Sequence, residues 1–179
     1  MGVRNFLVEG VSGTGKTSVC AELRRRGHHA VNGDVDLAFQ GDPATGEPTR
    51  GEPSHWHHVW RVDEVRALTA DRSHRFTFFC GGSRNFHQFL DVFDGVFVLT
   101  IDVDTLTRRL DDRSADEFGG RPDERELVLR LHRTGEDTPP DGVAVDATAP
   151  LNRVVDDILA RAEAIEGAAG RENVPGQRS

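Results

Sequence analysis

The segment Gly10-Val11-Ser12-Gly13-Thr14-Gly15-Lys16-Thr17 meets the pattern G-x-x-x-x-G-K-[ST] at every fixed position. Just upstream, Asn5-Phe6-Leu7-Val8-Glu9 reads as a short buried strand. Just downstream, Thr17 to Arg26 reads as a helix stopped by Gly27. A strand, a glycine-rich loop and a helix in this order build an anion cradle. The glycines Gly10, Gly13 and Gly15 let the backbone wrap so that successive N–H groups point inward. The helix N-terminus adds its positive dipole end. The expected phosphate contacts are Gly10, Ser12, Gly13, Thr14, Gly15, Lys16, Thr17 and Ser18. Lys16 is placed to reach β- and γ-phosphates, and the Thr17 hydroxyl to hold Mg2+.

The 179 residues suffice for one domain with a full core. A net charge of −8 argues against nucleic acid or a membrane surface as partner. Cys20 and Cys80 form no disulfide framework, so a reducing, cytoplasmic setting is expected. No signal peptide is read before the glycine loop, and no apolar run approaches the roughly 20 residues of a bilayer span.

Further along, His28 to Asn32 is a second strand ending in Gly33-Asp34-Val35-Asp36. Two carboxylates at a strand end can divide the work between Mg2+ and a substrate hydroxyl. Gln40 to Pro53, with prolines at 43, 48 and 53, is a loop. Ser54 to Ala70 reads as a helix through Trp56, Val59, Trp60, Val62, Val65 and Leu68. His55, His57 and His58 crowd its start; adjacent histidines diverge on a helix, so they are read as cap or surface residues, not as a metal site. Arg75 to Cys80 is a third strand, and Gly81-Gly82-Ser83-Arg84-Asn85 follows where open parallel sheets bind ligands. Gly81 and Gly82 allow close approach, and Arg84 suits an anionic group on a substrate. Phe86, Phe89, Leu90 and Phe93 are spaced for one face of a core helix. Gly95 to Ile101 is a fourth strand; Asp102 and Asp104 after it are read as helix caps, against the rival of a magnesium-ligating aspartate. Ser114 to Arg121 has two adjacent glycines and few apolar residues, and reads as a mobile arginine-bearing loop able to close over ATP. Pro122 opens a helix, Gly142 to Val145 is a fifth strand, and Gly167 to Ser179 is expected to fray.

Taken together, these pieces resemble the small-molecule and nucleotide kinases of the phosphate-loop superfamily, the branch of shikimate kinase, gluconate kinase and the nucleoside monophosphate kinases. The resemblance spans Phe6 to Leu159. Asp34-Val35-Asp36 is similar to the D-x-D of shikimate kinases, which implies Asp34 near magnesium and Asp36 on the acceptor hydroxyl. Gly81-Gly82-Ser83 is similar to their substrate loop, and Arg121-Pro122 to the lid. Arg113 falls where such kinases stack an arginine on adenine, and Asp146-Ala147-Thr148 where they hold its other side. Arg130 and Arg133 fall near a helix that often carries a phosphate- or substrate-binding arginine. Two stretches depart from the relatives. Gln40 to Trp60 is unlike the acceptor region of shikimate kinases, and Cys80 to Arg84 keeps only a glycine and the arginine of the nucleotide kinases' Asp-Gly-Phe-Pro-Arg.

The expected fold is a doubly wound α/β sandwich around a five-stranded parallel sheet. It forms one domain over residues 1–166, with a substrate cap near 40–70, a lid near 114–122 and a flexible tail over 167–179. The resemblance implies an ATP- and Mg2+-dependent kinase for a small-molecule acceptor, monomeric or homodimeric. Its catalytic residues are Lys16, Asp34, Asp36 and Arg121; ATP also touches Arg113, Asp146 and Thr148; the acceptor meets Asp36, Gly81, Gly82, Arg84 and Arg133; Thr17 and Asp34 hold the metal. The alternatives are a regulatory NTPase without an acceptor and a polynucleotide-end kinase.

Overall fold

The computed structural model describes residues 3–172. The elements in order are β1 (Arg4–Glu9), α1 (Lys16–Arg25), β2 (His29–Asn32), α2 (Gly33–Asp36), β3 (Ala38–Gln40), β4 (His58–Trp60), α3 (Val62–Ala70), β5 (Phe76–Cys80), β6 (Gly95–Thr100), α4 (Val103–Asp111), α5 (Pro122–Thr134), β7 (Val143–Asp146) and α6 (Leu151–Glu172). Five strands pair in the order β2-β5-β1-β6-β7, every pair parallel. A parallel sheet needs crossovers, and these lay helices on both faces. The central strands are therefore apolar without a break: β5 is buried at all five positions.

The period of two divides the core. Phe6 and Val8 of β1 join Phe78, Phe97 and the apolar side of α1 and α6 on one face. Leu7 points to the other face with Val31, Phe79, Trp60 and Phe89. Phe6 is fully buried and stacks on Phe78 (centroids 5.4 Å) and Phe97 (5.6 Å), with Phe76 edge-on at 5.5 Å. The connections out of β1 and its neighbours diverge at the C-terminal edge, which opens a crevice above β1.

Residues 54–70 are not one helix. A 3₁₀ turn (His55–His57) leads into β4, which pairs antiparallel with β3, and only then does α3 begin. The spacing of Trp56, Val59 and Trp60 imitates a helix face. However, the Trp60 N–H bonds Asn85 Oδ1 at 3.0 Å, and its ring stacks on Phe89 at 5.6 Å, so tertiary partners favour the extended form. Phe86 to Phe93 likewise forms two 3₁₀ turns, Phe86–Gln88 and Leu90–Val92, because its aromatics fill the core individually. At the far end, α6 continues to Glu172, past the boundary expected at 166; positions 173–179 of the expected tail lie outside the described residues. Pro122 opens α5 and Gly135, at φ 65°, closes it. No helix among the described residues is long and apolar enough to cross a membrane.

The ring stack around Phe6 predicts a large truncation cost. Phe6→Ala should lower the unfolding free energy by about 3–5 kcal/mol. Urea denaturation checks this, and a loss below about 1 kcal/mol would show that the stack does not anchor the sheet.

Candidate functional site

The glycine loop crosses the C-terminal end of β1, and α1 starts inside it. Gly15, at φ 104°, turns the chain into α1 in a conformation that a side chain resists. No side chain caps α1 and no acidic residue occupies its first turn, so its leading N–H groups are left for an anion. Lys16 Nζ donates to Gly10 O (2.5 Å) and Val11 O (3.3 Å), which folds the ammonium back over the loop. Arg109 of α4 braces the loop from behind: Nη1 donates to Gly13 O and Thr14 O at 3.1 Å, and Nη2 to Ala147 O at 2.9 Å. Arg113 donates to Ser12 Oγ at 2.9 Å and to Phe118 O. The bracing role of Arg109 was not legible in the sequence, where it is one arginine among many.

The two aspartates of α2 separate. Asp34 Oδ1 accepts from Gly82 N at 2.9 Å and from His58 Nε2 at 3.2 Å; Oδ2 has no protein partner among the described residues. Burial alone would raise this carboxyl, but the His58 bond, the Lys16 charge and the Gly82 N–H outweigh it and hold it below the usual range. Gly81 must be glycine: at φ 154°, a Cβ there would sit 2.7 Å from Asp34 Oδ1. Asp36 turns away from the site. It accepts from Asn32 N at 3.1 Å, pairs with Arg24 at 3.4 Å and lines neither cavity described below, whereas Asp34 lines both. The reason is geometric: α2 is helical, and residues two apart on a helix point in opposing directions.

Two cavities meet at the loop. One, about 490 Å³, runs along Ser12 to Val19 under Arg109 and Arg113, with Ala147 and Val154 on its far wall. The other, about 750 Å³, is walled by the β3–β4 region, the Phe118 loop and Arg84. Ser12, Lys16 and Asp34 line both. Thr17 and Ser18 lie on the first cavity, and Gly10 and Gly82 on the second.

Arg84 is nearly buried, with its side chain 9% exposed. It stands 3.6 Å from Glu9 Oε1 and 3.3 Å from Asp137 Oδ2. His55 Nε2 lies 3.6 Å from the same Asp137 oxygen, beyond hydrogen-bond reach. Burial pushes the Glu9 carboxyl up to about 8, against the opposing pull of Arg84 and Lys16. Asp137 is held low: burial works against ionisation, but His55 and Arg84 outweigh it. Glu9 and Asp137 had not been singled out from the sequence. A charged residue directly after the apolar run Phe6-Leu7-Val8 is the available signal for Glu9; Asp137, in a turn after α5, offers none.

The remaining expected contacts divide. Phe118 anchors the 114–121 segment, contrary to the expectation of a loop with almost no apolar hold: it packs against the core and stacks on His55 with centroids 5.4 Å apart. Arg121 lines the larger cavity while paired with Glu124. Asp146 and Thr148 do not line the smaller cavity; Asp146 Oδ1 accepts from Thr148 N (2.9 Å) and Oγ1 (2.6 Å), and only Ala147 between them reaches the wall. Such a self-bonded turn fixes Asp146 Oδ1 and the Thr148 hydroxyl on each other. Arg133 is exposed and lies on neither cavity, while Arg130 pairs with Glu136 and covers Trp56. Asp102 caps α4, accepting from Thr105 N at 2.7 Å, as expected. No group of three or more metal-ligating side chains occurs among the described residues.

No protein-family model and no curated protein matches this sequence. Solved structures do match the fold. A sugar kinase from Janibacter sp. HTCC2649 is 19% identical, with 88% of this chain and 93% of that one covered and a TM-score of 0.54. A gluconokinase from Sinorhizobium meliloti 1021 is 19% identical, covering 94% and 97%, with a TM-score of 0.53. A shikimate kinase from Bacteroides thetaiotaomicron is 12% identical, covering 89% and 98%, with a TM-score of 0.55. The chain shares the fold of these three structures, and at these identities the likeness is one of fold.

The raised Glu9 carboxyl has a consequence for stability. Between its ordinary value of 4.5 and about 8, the folded chain keeps a proton that the unfolded chain has released. Stability should therefore fall as pH rises through that window. Glu9→Gln should flatten this part of the profile, checked by urea midpoints at about pH 5 and about pH 8. Equal slopes in both proteins would contradict the assignment.

Proposed function

We propose that this chain is an ATP- and magnesium-dependent kinase that moves the γ-phosphoryl group of ATP onto a hydroxyl of a small molecule. The observation that carries the reading is the junction: Ser12, Lys16 and Asp34 line both cavities, so groups held in one meet groups held in the other. The smaller cavity suits the nucleotide, with its uncapped helix N-terminus, Thr17, Ser18 and the Arg109 and Arg113 braces. The larger cavity suits the acceptor.

In this reading the loop amides and Lys16 hold the phosphates, and Lys16 leaves its carbonyl partners to do so. The acceptor oxygen bonds phosphorus as the bond to the bridging oxygen breaks, and ADP departs. Asp34, held below the usual carboxylate range, is a weak base but a strong hydrogen-bond acceptor. It orients the hydroxyl and takes the proton late, when the acceptor oxygen has become acidic. The Thr17 hydroxyl and the Asp34 carboxylate, on one cavity wall, fit the hard oxygen donors of Mg2+. Bound there with the nucleotide, Mg2+ supplies charge neutralisation at the phosphates. We read the stretch of about 40–70, which includes the long β3–β4 connection, as the acceptor cap and about 114–122 as the lid, with Arg121 freed from Glu124 on closure.

Lys16→Ala should lower acceptor-dependent ADP release by about 10²–10³-fold with the fold intact by circular dichroism. Wild-type-like turnover would refute the kinase reading. Asp34→Asn should fall by a similar factor, whereas Asp36→Asn loosens only an exposed pair and should keep kcat within about threefold of wild type. Steady-state kinetics of the two variants check the assignment, and the reverse ranking would restore Asp36 to the acceptor.

A further inference from the structure

Resting on the kinase reading, which gives the larger cavity to the acceptor, we propose that this acceptor bears no acid group: it is a hydroxylated small molecule, either uncharged or carrying an amine. The cation best suited by type to grip a carboxylate or phosphate is Arg84. Its charge is already matched by the ionised Asp137 at 3.3 Å, and the Glu9 carboxyl stands beside the same guanidinium at 3.6 Å. An acid group entering beside Arg84 would meet the ionised Asp137 in a buried setting, where like charges are poorly screened.

The other cations are also engaged. Arg121 pairs with Glu124 and has Asp123 and Glu52 beside it. Lys16 lies on the glycine loop, where the phosphates need it. The cavity wall carries six acidic side chains, Asp34, Glu52, Asp116, Asp123, Glu124 and Asp137, against the three basic ones Lys16, Arg84 and Arg121. Its field therefore repels acids and attracts amines.

The wall is nonetheless built to recognise something polar. Asp137 Oδ1, Arg84 Nε and His55 Nε2 are buried and have no hydrogen-bond partner among the described residues. One acceptor and nitrogens able to donate match the paired donor and acceptor character of hydroxyl groups. Trp56, 45% exposed, and the stacked His55–Phe118 pair supply flat apolar faces for the carbon side of a ring or chain.

The test compares matched acceptors. ADP release is measured with D-gluconate, D-glucitol and D-glucamine, which share a carbon chain and end in acid, alcohol and amine. AMP and adenosine form a second pair. The comparison then extends over hydroxylated metabolites grouped as acids, neutral compounds and amines until turnover is found. The expected result is a kcat/KM at least about tenfold lower for acids than for their matched partners. Asp137→Asn, which unmasks Arg84, should shrink that ratio by about tenfold. Asp123→Asn, at the exposed rim, should shrink it by about twofold and serves if the first variant does not fold. Acids as the preferred group, or a ratio unchanged in the folded variants, would overturn the proposal and leave the kinase reading standing. ADP release that no acceptor stimulates would remove both.

Discussion

The structure depends on a helix that begins without a cap. Gly15 brings α1 out of the glycine loop in a left-handed turn, and no side chain among the described residues caps the leading amides. Leaving such donors without partners is costly in a folded protein, so the loop must be held in this shape by its surroundings. Those surroundings are specific. Arg109 pins two loop carbonyls and the Ala147 carbonyl together, tying the loop to the end of β7. The aromatic stack around Phe6 holds β1 between β5 and β6, which fixes where the loop emerges.

The second constraint is electrostatic. Lys16, Arg84, Asp34, Glu9 and Asp137 crowd the C-terminal ends of β1 and β5. Burial raises the cost of each charge, and each is answered by another: Asp34 by His58 and Lys16, and Asp137 by Arg84 and His55. Glu9 is the exception, with its carboxyl pushed up to about 8. A network balanced this closely responds to an added charge. Lys16 and Asp34 belong to this network and also line both cavities.

Much of the fold was legible. The glycine loop, the five parallel strands and the Asp102 and Pro122 helix starts follow from local patterns, because glycine spacing, capping and apolar runs act over a few residues. What failed depended on distant partners. Trp56, Val59 and Trp60 have helical spacing, yet Trp60 is buried by Phe89 and held by Asn85, some 25 residues on. Asp34 and Asp36 were both legible as candidates, but that they point to different sides depends on the helical turn of α2, and the Asp34 contact on the Gly82 amide. Arg84 was found by its place after β5. Its neutralisation was not, since Glu9 and Asp137 come from segments far away in the chain. The Asp146–Thr148 turn, by contrast, is bonded within itself, and nothing distant shapes it.

The central claim is that phosphoryl groups cross from one cavity to the other at Lys16 and Asp34. Phosphorus NMR of the wild-type protein with ATP, Mg2+ and an accepted hydroxyl compound tests it most directly. The account predicts a new phosphomonoester resonance that grows one for one with the loss of the γ-phosphate signal. Appearance of inorganic phosphate in its place, with no phosphorylated product, would contradict it.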